Sequence, residues 1–196
     1  TTAGMPWAAS SFDGRDAVLT GQAAEEAEPD RAIATLRSVW GVRVVDNRTE
    51  LIEKADVYGW AAAERDGRLR LTGHVPNEAT RKAIIGVVKA NFPRADVEDR
   101  MQPARGAPPR DVWLSGVSFA IKNLAQMKNG RVELEGTALT ISGAADDATS
   151  YRNLKREVSS ALPQGIRLKA DRITPPLVAP YTWSARLERN QLALSG

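Results

Sequence analysis

The chain contains no cysteine and only one histidine, His74. The first absence excludes disulfides, thiolate metal sites and a cysteine nucleophile. With one imidazole, a zinc site or a Ser-His-Asp triad would have to be built on His74, and no HExxH or similar spacing exists. No stretch approaches the roughly 20 uninterrupted apolar residues that a membrane-spanning helix needs. The chain opens Thr1-Thr2-Ala3-Gly4, with neither an initiator methionine nor a basic-then-apolar leader. It reads as a processed form or a cut piece, and any signal or anchor is expected outside it.

What is present is ordinary for a packed protein. The chain has 196 residues, of which 42% are apolar, so a core is feasible. The net charge is +3, from 27 basic and 24 acidic residues. Its distribution says more than its sum. Residues 1–56 hold 6 Lys/Arg against 10 Asp/Glu, residues 57–110 hold 10 against 6, and residues 111–196 hold 11 against 8. An acidic first third and a basic remainder suggest units that share a core and differ in surface.

A repeat explains the shared core. Both "WAASSFDGRDAVLTGQAAEEAEPDRAIATLRSVWGVRVVDNRT", from Trp7, and "YGWAAAERDGRLRLTGHVPNEATRKAIIGVVKANFPRADVEDRM", from Tyr58, place a Trp first. A DG pair, Leu-Thr-Gly, a helical stretch and a Val-rich strand follow. Their Thr-Gly pairs end at Gly21 and Gly73. "GRVELEGTALTISGAADDATSYRNLKREVSSALPQGIRLKADRI" is an altered third copy whose hairpin ends at Gly143. With Gly143 on Gly73, Leu154 matches Ile84 and Val158 matches Val88. The C-terminal "YTWSARLERNQLALSG" repeats the opening, with Trp183 on Trp60 and Gly196 on Gly73.

Each unit reads as strand, tight turn, strand, helix, strand. Asp13-Gly14 and Asp66-Gly67 are turn pairs suited to type I′ hairpins. Leu69 and Leu71 alternate with Arg68 and Arg70, giving one buried and one wet strand face. Asn77 is the expected cap of a helix with core positions Ala79, Ala83, Ile84, Val87, Val88 and Phe92, stopped by Pro93. In the first unit Ile33, Leu36 and Trp40 form the helical face. Before the third unit, Trp113, Val117, Ile121, Leu124 and Met127 fall at helical spacing, so an extra helix is expected over 112–128. "QPARGAPPRD" (102–111) and "TPPLVAPY" (174–181) read as semi-rigid linkers. The predicted division is 1–56, 57–108, 109–176 with the extra N-terminal helix, and 177–196, a hairpin that opens a fourth unit or completes the third.

The order hairpin, Leu-Thr-Gly, helix, Val-rich strand resembles the BON module, named for bacterial osmotically induced and nodulation proteins. "LRLTGHVPNEATRKAIIGVVKANFP" and "DRITPPLVAPYTWSA" are similar to the periplasmic repeat region of OmpA-family proteins of α-proteobacteria. The expected fold class is therefore α+β: tandem BON-like ββαβ modules, small mixed sheets covered by helices on one face. The resemblance implies a periplasmic or cell-envelope location, tethered by segments outside this chain. It also implies contact with phospholipid or with other envelope proteins, and it implies no activity; no catalytic residue, cofactor or metal is expected.

Function is expected in what does not repeat. Arg65, Arg68, Arg70, Arg81, Lys82, Lys89 and Arg94 make the second unit basic. They form a candidate surface for anionic lipid or a partner, at about 1 kcal/mol per basic side chain near an anionic membrane. Trp113, Phe119 and Ile121 mark the extra helix as a candidate partner helix, although burial between units is the favoured reading. The recurring glycines are read as backbone requirements, since no GxGxxG or Walker pattern surrounds them. The leading reading is a non-enzymatic scaffold or binding module. The alternative is a nucleic-acid-binding domain using the basic second unit. Against it, no strand shows a pair of exposed aromatics and no GXXG loop appears.

Overall fold

The computed structural model describes residues 5, 7–176, 183–188 and 191–195. The first unit consists of β1 (Ala8–Asp13), β2 (Asp16–Ala23), α1 (Glu28–Arg37) and β3 (Val44–Leu51). The second consists of β4 (Gly59–Arg65), β5 (Arg68–Val75), α2 (Glu78–Asn91) and β6 (Asp96–Pro103). Next comes α3 (Arg110–Leu124), followed by the third unit: β7 (Met127–Glu135), β8 (Ala138–Ala145), α4 (Ala148–Ser160) and β9 (Arg167–Thr174). A hairpin, β10 (Ser184–Glu188) and β11 (Gln191–Ser195), forms its own two-stranded sheet. Gly196 and residues 177–182 lie outside the described residues.

The same topology recurs three times. Two strands pair antiparallel through a two-residue turn, and a helix carries the chain to a third strand parallel to the second. A parallel pair requires such a crossover. The first unit stands as a three-stranded sheet, β1-β2-β3. The other two units merge into one six-stranded sheet, β6-β5-β4-β7-β8-β9, in which β4 and β7 pair antiparallel. The α+β class with small mixed sheets and helices is thus the observed one.

The main core lies between this sheet and α2, α3 and α4. Trp60, Leu69, Leu71, Val132, Leu134, Leu139 and Ile141 supply its sheet face, and Ile84, Val88, Trp113, Val117, Ile121, Leu124, Leu154 and Val158 its helix side. Fully burying one such side chain contributes about 1.5–3 kcal/mol. The first unit has a much smaller core of Ala8, Leu19, Ala32 and Leu36.

Local chemistry repeats with the core. Asn77 and Asp147, each four residues beyond the hairpin glycine, cap α2 and α4 by accepting from Thr80 N (2.8 Å) and Ser150 N (2.7 Å). In α1 no side chain caps in this way. The Glu28 carboxylate instead accepts from the backbone of Ala24 (2.7 Å) and Glu25 (3.1 Å).

Several expectations are corrected. The first hairpin turns at Gly14-Arg15, because Asp13 already pairs with Asp16. There only the glycine has positive φ, the pattern of a turn with glycine first, whereas Asp66 and Gly67 are both positive, as type I′ requires. Trp40 lies beyond the end of α1 and is 99% exposed. Ala79 and Ala83 face solvent, and Thr80 takes the inward place. Met127 begins β7 and does not extend α3. Trp60 pairs with Gly73, but the residue opposite Gly21 is Ala8, so Trp7 is one position out of step with Trp60.

The hairpin glycine has a double cause. Gly73 has φ +92, and a Cβ there would sit 2.3 Å from the Gly59 carbonyl oxygen. Gly21 repeats this against Trp7 O, at 2.2 Å. Gly73→Ala is expected to lower stability by about 3 kcal/mol or more, because strained backbone and overlap add. Gly67→Ala, at a turn with open space around it, is expected to cost only about 1 kcal/mol. Equal losses in denaturant titrations of the two variants would contradict this account of the repeat.

Candidate functional site

A cavity of about 550 Å³ lies between the first unit and the six-stranded body. Met5, Trp7 and Ile52 line it from one side, and Val75, Pro76, Ala79 and Pro103 from the other. Four charged residues, Glu28, Arg31, Glu78 and Arg81, complete the wall. The mixture is suited to a partner whose apolar groups are buried while its charged groups meet the rim.

Residues 103–106 hold the cleft together. This segment, expected to be a linker, runs beside residues 53–55 in a parallel bridge between Lys54 and Arg105. Arg105 N donates to Glu53 O at 3.0 Å, and Ala55 N donates to Arg105 O at 3.1 Å. The Arg105 guanidinium donates to Ile52 O at 2.8 Å and pairs with Glu26 at 3.2 Å. Ala104 is buried in the main core. The Pro-rich stretch is therefore a clasp between units.

On the opposite wall, Arg81 bonds Asp99 at 2.7 Å and Met101 O at 3.1 Å. Burial works against the Asp99 carboxylate. The Arg81 guanidinium and the Met101 amide outweigh it and hold its pKa below the usual range. Arg81 is thereby fixed to β6 at the edge of the cleft.

The basic residues singled out from the sequence do not form one surface. Arg65, Arg68 and Arg70 project from the sheet face away from the helices, while Lys82 and Lys89 are exposed on α2 and Arg94 in the loop after it. Arg70 pairs with Glu98 at 2.7 Å and Arg68 with Asp96 at 3.8 Å. Arg100 also pairs with Glu98, whose pKa is lowered by its hydrogen bonds to Arg70 and then Arg100. Lys82 and Lys89, seven residues apart, share one helix stripe. On α3, Trp113 and Ile121 are buried in the core and Phe119 is half-buried against it. The apolar face of this helix is thus spent within the chain.

Of the tryptophans that open the units, Trp60 is core, Trp7 lines the cleft and packs on the small core, and Trp183 is exposed. His74 is half-buried, with its ring centroid 5.7 Å from that of Tyr58. Tyr58 also meets Trp113 edge-on at 5.6 Å, and burial pushes its phenol pKa up. Among the described residues there is no group of three or more His, Cys, Asp or Glu that could hold a metal ion. Sequence reasoning missed the cleft because Trp7, Ile52, Ala79 and Pro103 come from separate segments. The available signal was Arg105, set within the otherwise Pro- and Ala-rich "QPARGAPPRD".

Arg105→Ala is expected to cost about 1–2 kcal/mol, mainly through the orphaned Ile52 carbonyl, since the exposed Glu26 pair adds little. Hydrogen exchange should quicken in β1–β3 and stay unchanged in β4–β9; uniform loosening would count against the clasp. Asp99→Asn is expected to cost about 1–2 kcal/mol at pH 7. Because the folded pKa is depressed, this stabilisation is complete above the normal aspartate pKa. It is lost as pH falls through the lowered value. The wild-type advantage in thermal melts should thus vanish at strongly acidic pH, and an advantage independent of pH would refute the pairing.

Comparison with known proteins gives three findings. The BON domain pattern matches residues 8–53, which span β1 to just beyond β3. No curated protein matches the sequence. Among solved structures, the chain is similar to the C-terminal domain of CdsD, "the structural protein of the Type III secretion system of Chlamydia trachomatis", at 14% identity. That match covers 88% of this chain and 91% of the other, with a TM-score of 0.25. A second CdsD structure matches at 14% identity and TM-score 0.25, covering 87% of each chain. Residues 8–53 therefore carry a BON domain.

Proposed function

We propose that the chain is a non-enzymatic scaffold module of the bacterial cell envelope, binding another envelope protein in the cleft between its first unit and its six-stranded body. The cleft is the observation that carries this reading. Two units are clasped at Arg105 so that an apolar recess with charged walls stays open between them. The BON domain at 8–53 supports the envelope setting. No helix of the described residues is long and apolar enough to cross a membrane.

Contact with anionic phospholipid is a finer form of the same proposal. Its best-placed residues are Lys82, Lys89 and Arg94, which are exposed and outside the ion pairs that occupy Arg68, Arg70 and Arg81. The nucleic-acid alternative is disfavoured by the open sheet face. Its centre presents Ala61, Ala63 and Thr72 beside carboxylate-paired arginines, and stacking needs aromatic platforms there.

Two measurements test the proposal. Fractionation of cells expressing the full-length gene product should recover it with the envelope, and recovery in the cytosol would refute the location. In flotation with phosphatidylglycerol vesicles at low salt, a Lys82→Glu/Lys89→Glu variant should lose binding while Arg70→Gln keeps it. Failure of the wild type to float would remove lipid from the proposal and leave the protein-binding cleft.

A further inference from the structure

The six-stranded sheet contains a template for how the first strand of a unit pairs. Ala62 of β4 lies opposite Leu71, and Val132 of β7 lies opposite Ile141, so the two occupy equivalent positions in their units. Ala62 and Val132 are also each other's partners across the β4–β7 joint, with Trp60 opposite Leu134 and Gly59 opposite Glu135. The joint is therefore a local two-fold, centred where equivalent residues meet. The first strand of one unit pairs antiparallel with the first strand of another, in a register that superposes on itself when the two are exchanged.

The first unit owns the same strand, β1, and among the described residues its outer side is unpaired. Ser10, opposite Leu19, is the counterpart of Ala62. The two-residue turn makes Asp13 and Asp16 a hydrogen-bonded pair, so the backbone groups of Ser10 and Phe12 point away from β2.

The other edges of the two larger sheets are guarded as natural edges usually are. β3 carries Asp46, Arg48 and Glu50; β6 carries Asp96, Glu98, Asp99 and Arg100 and ends on Pro103; β9 carries Arg167, Lys169, Asp171 and Arg172. β1 reads Ala-Ala-Ser-Ser-Phe-Asp, with no proline and no charge before its last residue. Phe12 is 54% exposed on the side of the sheet that holds the small core.

We propose that β1 pairs with β1 of a second copy of this chain and repeats the β4–β7 joint between molecules. Ser10 meets Ser10 on the two-fold axis. Ala9 lies opposite Ser11, and Ala8 opposite Phe12, where the body of the protein has Trp60 against Leu134. The large residue of each copy covers the small one of the other, and the contact is isologous and closed, so it stops at a dimer.

Sedimentation equilibrium of the whole chain tests this. The wild type should be a dimer at micromolar to millimolar concentration, and a monomer throughout would overturn the proposal. Ser10→Lys and Ser10→Glu each set like charges face to face and should each be monomeric. A 1:1 mixture of the two should recover the dimer. Dimers of either variant alone as tight as wild type, or no recovery on mixing, would overturn pairing at this axis. An edge that instead met another part of the chain, such as the C-terminal hairpin, would give no recovery. Ser10→Cys provides a second reading that does not depend on tolerating a charge. The chain has no cysteine of its own, so a short bismaleimide, which spans the wider side-chain gap of a hydrogen-bonded pair, should yield a covalent dimer, and its absence would contradict the pairing of two β1 strands.

Discussion

The backbone ladder between β4 and β7 is the contact on which the main body depends. A lone ββαβ unit has an open edge on its first strand and a helix that covers only part of its sheet. Joining two such strands removes both edges and brings Trp60 against Leu134 at the centre of one sheet. The widened sheet then needs a third helix. Burial of Trp113, Val117, Ala120, Ile121 and Leu124 shows α3 filling that place. The added helix is thus a structural consequence of the merger, which is why its apolar face does not reach the surface.

The first unit lacks this support. Its core rests on four small or medium side chains, and it is joined to the body through the clasp at residues 103–106. The same arrangement leaves the cleft open, because a parallel bridge and one guanidinium hold the units together without closing the space beside them. Charge follows the same logic. Three of the second unit's arginines, Arg68, Arg70 and Arg81, are paired with carboxylates of β6, so the number of basic residues overstates what a ligand would meet. The exposed pairs of Arg68 and Arg70 contribute little stability and chiefly restrict where those arginines can reach.

Much of the fold was legible in the sequence because it depends on local chemistry. The glycines at 21, 73 and 143, the cap at Asn77 and the alternation around Leu69 and Leu71 each follow from short-range backbone and burial rules. The α+β class followed from their order. What escaped were features set by distant partners. Thr80 replaces Ala79 in the core because helix rotation is fixed by packing on the sheet. Trp7 stands one residue off the Trp60 register because Gly21 pairs with Ala8. Periodicity alone carried Met127 into the helix, whereas pairing with Ala145 draws it into β7. The arginines of the second unit were visible as a cluster, but their division between two faces and their carboxylate partners were not. The cleft depends on five separate segments and had no local signature.

The central claim is that the second and third units are one cooperative body built across the β4–β7 joint. Native-state hydrogen exchange tests it most directly. The amides of Ala62 and Val132 face each other across the joint, and the expected result is that they open with the same free energy as Leu71 and Ile141 inside their own units. Faster exchange at Ala62 and Val132, with Leu71 and Ile141 still protected, would mean that the two units part before either unfolds, and would contradict the account.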